Sequence, residues 1–120
     1  MLADDSPGRG GRRGEPGTGP RAAFADPTAA ADLAAVRRVL AGDGSAYRAL
    51  IERHQGRVSS MMWRFSRDAE VHRELVQEVF VQVYESLGSY RAEAPFEHWL
   101  VRIATRVGYR YWKRERRARI

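Results

Sequence analysis

From residue 26 onward, apolar positions recur every three or four residues, as they do along one face of a helix. Short polar or glycine-containing segments separate four such stretches, and none shows the strict alternation that is typical of a strand. The pattern also contains no internal repeat. It predicts an all-α fold, a small bundle of three to four helices in which each helix buries its apolar side.

Capping residues indicate where these helices begin and end. Asp26 followed by Pro27 predicts the start of the first helix, and Gly42 is a suitable stop for it. Asp68 is the predicted cap of the third helix, which ends near Gly88. A proline at position 95 then stands where a fourth helix should begin.

The second helix, capped by Asp43 or Ser45, carries one apolar stripe that includes a histidine. We interpret His54 as a hydrogen-bonded core histidine, because it lies on the buried stripe. The stripe consists of Tyr47, Leu50, Ile51, His54, Val58, Met61, Met62 and Phe65.

The first 25 residues differ from the rest of the chain. They are rich in Gly, Pro, Arg and Ala, lack a helical or strand period, and offer too little apolar surface to offset the entropy of ordering them. We predict a disordered tail over residues 1–25 and one helical domain over residues 26–120. In an alternative interpretation the arginines of the tail contact nucleic acid.

Composition excludes several classes of protein. The chain has no cysteine, which rules out disulfides and thiolate metal sites, and its three histidines lack metal-binding spacing. No nucleophile is marked by its neighbours, so we predict no enzyme activity, no catalytic residue, no metal and no cofactor. No apolar run approaches the roughly 20 residues of a membrane helix, and no secretion signal is visible. We therefore expect a cytoplasmic protein without membrane insertion.

The net charge of +6 is unevenly distributed. Residues 89–120 contain nine basic and three acidic side chains, so the whole excess lies at one end of the chain. A neutral body with one basic end predicts a directed contact with phosphate groups or with acidic protein.

The fourth helix presents two different faces on a helical wheel. The inward face is apolar and comprises Phe96, Trp99, Leu100, Ile103, Ala104, Val107 and Tyr111. The outward face and the basic run after it combine aromatic rings with cations, namely Arg102, Arg106, Tyr109, Trp112, Lys113, Arg114, Arg116 and Arg117. Aromatic rings stack on unpaired bases and cations neutralise phosphates, so this face predicts a contact with unpaired or partly opened nucleic acid. Alternatively, both rings pack against the first helix or the preceding loop, and the cations are merely solvated.

The third helix also has an outward face, opposite an apolar stripe that includes Leu75, Val79 and Val83. Helical periodicity places Glu74, Gln77, Glu78 and Val81 on or beside this face. Glutamates on an outward face are usually only solvated, but a valine among them also fits a protein contact.

Three segments occur in an order that resembles region 2 of bacterial sigma factors. They read AGDGSAYRALIERH, ELVQEVFVQVYESLGSYR and FEHWLVRIATRVGYRYWKRERR. The resemblance covers about residues 30–118 and points to the extracytoplasmic-function (ECF) group of the sigma-70 family. It implies a helical bundle that binds RNA polymerase core and that recognises and melts the promoter −10 element.

The resemblance assigns a role to each outward face. The docking motif of the family matches Glu74, Gln77 and Glu78, with Val81 beside them, and implies binding to the clamp helices of the polymerase β′ subunit. An anti-sigma factor that covers this surface is a further implied partner.

The −10 contacts of the family match Tyr90, Ile103 and Arg106, and the loop over residues 86–96 would form the wall of a pocket for a flipped base. Many relatives carry Asn at the position of Arg106. Because arginine offers only donors, the base preference of relatives is not carried over to this chain.

Complete members of the group continue into region 4, a helix-turn-helix domain, whereas this sequence stops at Ile120. A cut chain and a lone region 2 both remain open. The alternative function is a small helical DNA- or RNA-binding protein that acts without polymerase. That function accounts for the basic end but not for the glutamate-rich face.

Overall fold

The computed structural model describes residues 24–119, which form four α-helices and contain no strand. The helices are α1 (Pro27–Leu40), α2 (Ala46–Met62), α3 (Ala69–Ser86) and α4 (Phe96–Arg119), with a 3-10 turn at Leu87–Ser89. The prediction of an all-α bundle is confirmed. Most of the predicted tail lies outside the described residues.

The helix ends follow the capping residues that the sequence shows. The Asp26 carboxylate accepts a hydrogen bond from the Ala29 amide at 3.0 Å, and the Asp68 carboxylate accepts one from the Glu70 amide at 2.8 Å. Gly42 follows α1 with a φ of 109°, a left-handed conformation that favours glycine. Both predicted ends of α1 and the predicted start of α3 are therefore confirmed, whereas α3 ends at Ser86, two residues before Gly88.

The segment before α2 is organised by Asp43 rather than by Ser45. The Ser45 side chain makes no cap hydrogen bond, whereas the Asp43 carboxylate accepts from both the amide and the hydroxyl of Ser45. Arg38 donates to the same carboxylate at 2.6 Å. Hydrogen bonds from Ser45 and then Arg38 hold the pKa of Asp43 below its ordinary value.

The core lies where the apolar stripes of all four helices meet. Its buried side chains include Leu50, Val58, Met62, Leu75, Val79, Val83, Leu87, Phe96, Leu100 and Val107. The interpretation of His54 is confirmed: it is buried, and its Nε2 lies 2.7 Å from the carboxylate of Asp32. Arg53 donates to the other oxygen of Asp32, so this buried carboxylate ties α1 to α2.

A glycine within α4 allows the turn after α2 to approach this helix closely. Gly108 is buried, and a Cβ atom placed there would lie 2.2 Å from the ring of Phe65. Glycine inside a helix costs about 1 kcal/mol relative to alanine. The close packing of Phe65 gives a physical reason for this glycine.

Tyr47 provides a stability test of the α2–α3 contact. Its hydroxyl donates to the carbonyl of Phe80 at 2.6 Å, and burial raises the pKa of Tyr47. Tyr47→Phe should lower the free energy of unfolding by about 1 kcal/mol, which urea denaturation at neutral pH will measure.

The raised pKa of Tyr47 also predicts a dependence on pH. A group whose pKa is higher in the folded state stabilises that state below the ordinary tyrosine pKa of 10 and loses this contribution as the pH rises further. The stability advantage of the wild type over Tyr47→Phe should therefore shrink above that pH. An advantage that stays constant with pH would show that Tyr47 does not titrate in this way.

Candidate nucleic-acid and protein-binding faces

The outward face of α4 carries two half-exposed aromatic rings. Tyr109 is 51% exposed and Trp112 is 45% exposed. The Tyr109 ring meets the edge of Phe65 at a centroid distance of 5.2 Å and the Trp112 ring at 6.1 Å. Both rings are thus supported from one side and open to solvent on the other, rather than buried against α1 or the α3–α4 loop.

The cations of this face are available to an external anion. All six are exposed, and none forms an ion pair with another residue in the range 24–119: Arg102, Arg106, Lys113, Arg114, Arg116 and Arg117. The Arg116 guanidinium lies 4.9 Å from the centre of the Trp112 ring, in a cation–π contact. The face can therefore offer stacking surface and positive charge side by side.

Tyr90 lies in the loop before α4 and is half-buried. Its ring packs 5.3 Å from Trp99 and 5.9 Å from Phe96, and its hydroxyl donates to the carbonyl of Ala94. Burial raises the pKa of Tyr90, and the nearby charge of Asp32 adds to the effect. The side chain therefore shapes the loop from inside and leaves only part of its surface for a ligand.

Ile103 lies in the core, and this differs from its expected role in DNA contact. The side chain is only 2% exposed, as its place on the inward stripe of α4 requires. It can support the outward face from below, but a base could reach it only if α4 left the bundle.

The outward face of α3 is exposed to solvent except at Glu78, which contacts other side chains. Glu74 and Gln77 are exposed, and Val81 is 48% exposed. Glu78 is half-buried, accepts a hydrogen bond from Gln82 at 3.1 Å and lies 3.7 Å from the Arg110 guanidinium. This face therefore borders α4 on one side.

On its other side the α3 face continues into an apolar groove that the sequence analysis did not identify. The groove lies between α2 and α3 and has a volume of about 1000 Å³. Ile51 from α2 and Phe80, Val81 and Tyr84 from α3 line it, together with Gln77. No sequence pattern shows which exposed apolar residues of two helices share a groove, because this depends on how the helices pack.

In the described part of the chain no helix is long and apolar enough to cross a membrane. Across the same residues no three histidine or carboxylate side chains converge as metal ligands.

The amino-acid sequence of this chain is similar to those of several known proteins. The family model described as Sigma-70 region 2 matches residues 50–118. The chain is 36% identical over 80 residues to the ECF RNA polymerase sigma-E factors of Haemophilus influenzae and Escherichia coli K12, which covers 67% of this chain but only 42% and 41% of those proteins. It is 36% identical over 73 residues to the RNA polymerase sigma-H factor of Pseudomonas aeruginosa, covering 61% of this chain and 38% of that protein.

A solved structure is also similar. It is the NMR structure of the complex formed by an engineered region 2 of sigmaE in complex with GTAAAA, with a TM-score of 0.66 and 33% sequence identity. The match covers 72% of this chain and 90% of that one. The fold and the sequence therefore lead to the same family.

Proposed function

We propose, because this chain belongs to the sigma-70 region 2 family and resembles its ECF members, that it binds RNA polymerase core and recognises and melts the promoter −10 element. In this proposal the polymerase performs the chemistry and the chain itself is not an enzyme. One observation carries the DNA part: α4 exposes Tyr109 and Trp112 among cations that have no ion-pair partner in the described residues.

The chemistry of this face favours opened DNA over intact duplex. In a duplex the faces of the bases are covered by stacking, and only their groove edges can be read. An exposed aromatic ring offers a stacking surface worth about 1–3 kcal/mol for each unpaired base, a surface that duplex DNA cannot use. A face that binds the opened strand more tightly shifts the equilibrium toward opening. The similar sigmaE region 2, which was solved with GTAAAA, supports this assignment.

The loop before α4 completes the proposed DNA surface. The Tyr90 ring is held by Trp99 and its hydroxyl by the loop backbone, so the loop is already shaped before a ligand arrives. Preorganisation of this kind lowers the entropy cost of capturing a flipped base. Arg106 offers only donors, which suits acceptor atoms on a base edge or a phosphate.

The outward face of α3 and its adjoining groove are proposed to bind the clamp helices of the polymerase β′ subunit. Val81 supplies an apolar centre, and Glu74 with Gln77 supplies polar groups around it. Acidic and amide groups on the rim suit a basic partner helix. An anti-sigma factor would regulate the chain by covering this surface.

The alternative is a helical DNA- or RNA-binding protein that acts without polymerase. It accounts for the basic face of α4 equally well. It gives no role to the exposed Val81 or to the groove beside it. Polymerase binding is therefore the measurement that separates the two functions.

Val81→Lys should weaken binding to purified core polymerase by at least about 10-fold, because it places a charge at the centre of the proposed contact. The matched control is Leu40→Lys, which changes a side chain of similar exposure on α1, 53% against 48%. Surface plasmon resonance of both variants gives the two Kd values. If both variants still bind DNA and have equal affinities for polymerase, the α3 face does not bind polymerase. This result would favour a nucleic-acid-binding protein that acts without polymerase.

A further inference from the structure

The turn between α2 and α3 faces the C-terminal end of α4 across a small basic pocket. This pocket has a volume of about 320 Å³. Four arginines line it, two from the turn and two from the helix: Arg64, Arg67, Arg116 and Arg119. One carboxylate, Glu115, also lines it, as do Trp63 and Trp112.

The positive charge around this pocket has no counterpart in the described structure. None of the four arginines forms an ion pair with another residue in the range 24–119. Glu115 offsets one charge at most, so three remain around a cavity of this size. Like charges brought together in this way repel, and an anion bound between them removes the repulsion.

The position of the turn is fixed by packing on both of its sides. Phe65 sits on Gly108 and meets the edge of Tyr109. Trp63 stacks on His72 with a centroid distance of 3.6 Å, and the His72 ring in turn lies 2.9 Å from the Ser59 carbonyl. The backbone that carries the two arginines of the turn is therefore held beside α4.

The pocket adjoins the proposed DNA face, because Trp112 and Arg116 belong to both. Arg102 and Arg116 are 14 positions apart on α4, about 21 Å along the axis at 1.5 Å per residue. Tyr109 lies between them along the helix, and the pocket is lined by α4 residues from Tyr111 to Arg119. A strand whose unpaired bases stack on these rings would bring its next phosphates to the pocket.

We propose that this pocket binds a phosphate group of the DNA backbone that flanks the unpaired bases, so that Arg64 and Arg67 form a second wall of the DNA surface. The guanidinium groups of all four arginines have the donor geometry for phosphate oxygens. The identity of the ligand as DNA rests on the proposed function, whereas the anion-binding chemistry rests on the pocket itself.

The test compares two double variants of the full chain that lose the same charge. Arg64→Gln/Arg67→Gln removes the wall of the pocket, and Arg37→Gln/Arg48→Gln removes two exposed arginines from α1 and α2. The probe is a fluorescent duplex with a central unpaired GTAAAA segment, titrated at several salt concentrations.

We expect the pocket variant to raise Kd about 10-fold or more at 0.1 M salt and to reduce the salt slope by about 0.7–0.9 log units, which corresponds to one lost phosphate contact. The control variant should change the slope much less. Equal slopes for the two variants would overturn the pocket assignment.

Three further outcomes separate this proposal from the proposed function. If Tyr109→Ala weakens binding but the pocket variant does not, the pocket proposal fails and the DNA face remains. If the wild-type chain binds polymerase but not the probe, both DNA assignments fail. If inorganic phosphate quenches tryptophan fluorescence at matched ionic strength while the arginine changes leave DNA affinity unaltered, the pocket holds a free anion and the assignment to DNA is wrong.

Gly108→Ala tests the placement of the turn without changing any charge. The added methyl group must displace the Phe65 ring, because the two would otherwise be 2.2 Å apart. We expect this variant to keep the helical circular dichroism of the wild type. Its salt slope for DNA binding should be reduced, as in the pocket variant. A folded Gly108→Ala chain with the wild-type slope would contradict the role of the turn as a fixed wall.

Discussion

Tyr109→Ala should raise the Kd for unpaired promoter DNA by about 5- to 150-fold, which corresponds to the loss of one stacked base at about 1–3 kcal/mol. The half-exposed ring carries no charge, so its removal should leave the salt dependence of binding unchanged. Loss of Arg102 or Lys113 should also weaken binding, but to every DNA sequence alike, and it should reduce the salt slope. The two kinds of variant therefore separate stacking from phosphate neutralisation on one helix.

Tyr84→Ala is the matched control for Tyr109→Ala in the DNA-binding measurement, which contains no polymerase. Tyr84 is 53% exposed, but it lies on α3 beside the groove, away from the proposed DNA face. Fluorescence anisotropy with single-stranded and double-stranded probes gives the affinities. Transcription with core polymerase on duplex and pre-opened templates then reports on melting, since a melting surface matters more on the duplex. If Tyr109→Ala affects both templates equally, or changes the affinity for the DNA probes no more than Tyr84→Ala does, the ring is only a packing residue.

The helix ends could be predicted because the interactions that set them are local. Asp26 and Asp68 each accept from an amide two or three residues further on, and Gly42 adopts its left-handed conformation without contacting a distant segment. The 3-10 turn at Leu87–Ser89 is the one feature of the α3 end that capping rules did not indicate.

Ile103 shows how two sequence signals can disagree. Helical periodicity places it on the inward stripe, whereas the resemblance to family motifs suggested a DNA contact. The structure buries Ile103 beside Leu100 and Val107 in the core. The position of a residue in a motif therefore does not establish that its side chain reaches the ligand.

The features that the sequence did not predict depend on contacts between distant segments. Asp32 meets His54 across 22 positions, and Phe65 covers Gly108 across 43. No period or cap links such pairs, because their contact arises from how helices pack in space. For the same reason no sequence pattern assigns a role to Arg64 and Arg67, which line a pocket with residues of α4 because of how the turn packs.

Asp32→Ala should lower the free energy of unfolding by about 3–5 kcal/mol, the usual effect of removing one partner from a buried ionic cluster. The Asp32 side chain is almost fully buried and accepts from both His54 and Arg53, so its loss leaves two polar groups of α2 without their acceptor. A loss of this size is a large part of the roughly 5–15 kcal/mol that stabilises a typical domain. We therefore expect α1 to detach or the whole bundle to unfold at much lower urea concentration.

Two further variants identify the cause of this loss. Asp32→Asn retains an acceptor of similar shape and should restore part of the stability, because a hydrogen bond to His54 remains possible. Glu97→Ala breaks an exposed ion pair with Arg57, 3.0 Å long, and should cost less than about 1 kcal/mol. Urea denaturation followed by circular dichroism measures all three. If Asp32→Ala costs no more than Glu97→Ala, the buried carboxylate does not hold α1 to α2, and the apolar contacts of Ala35 and Val36 must do so alone.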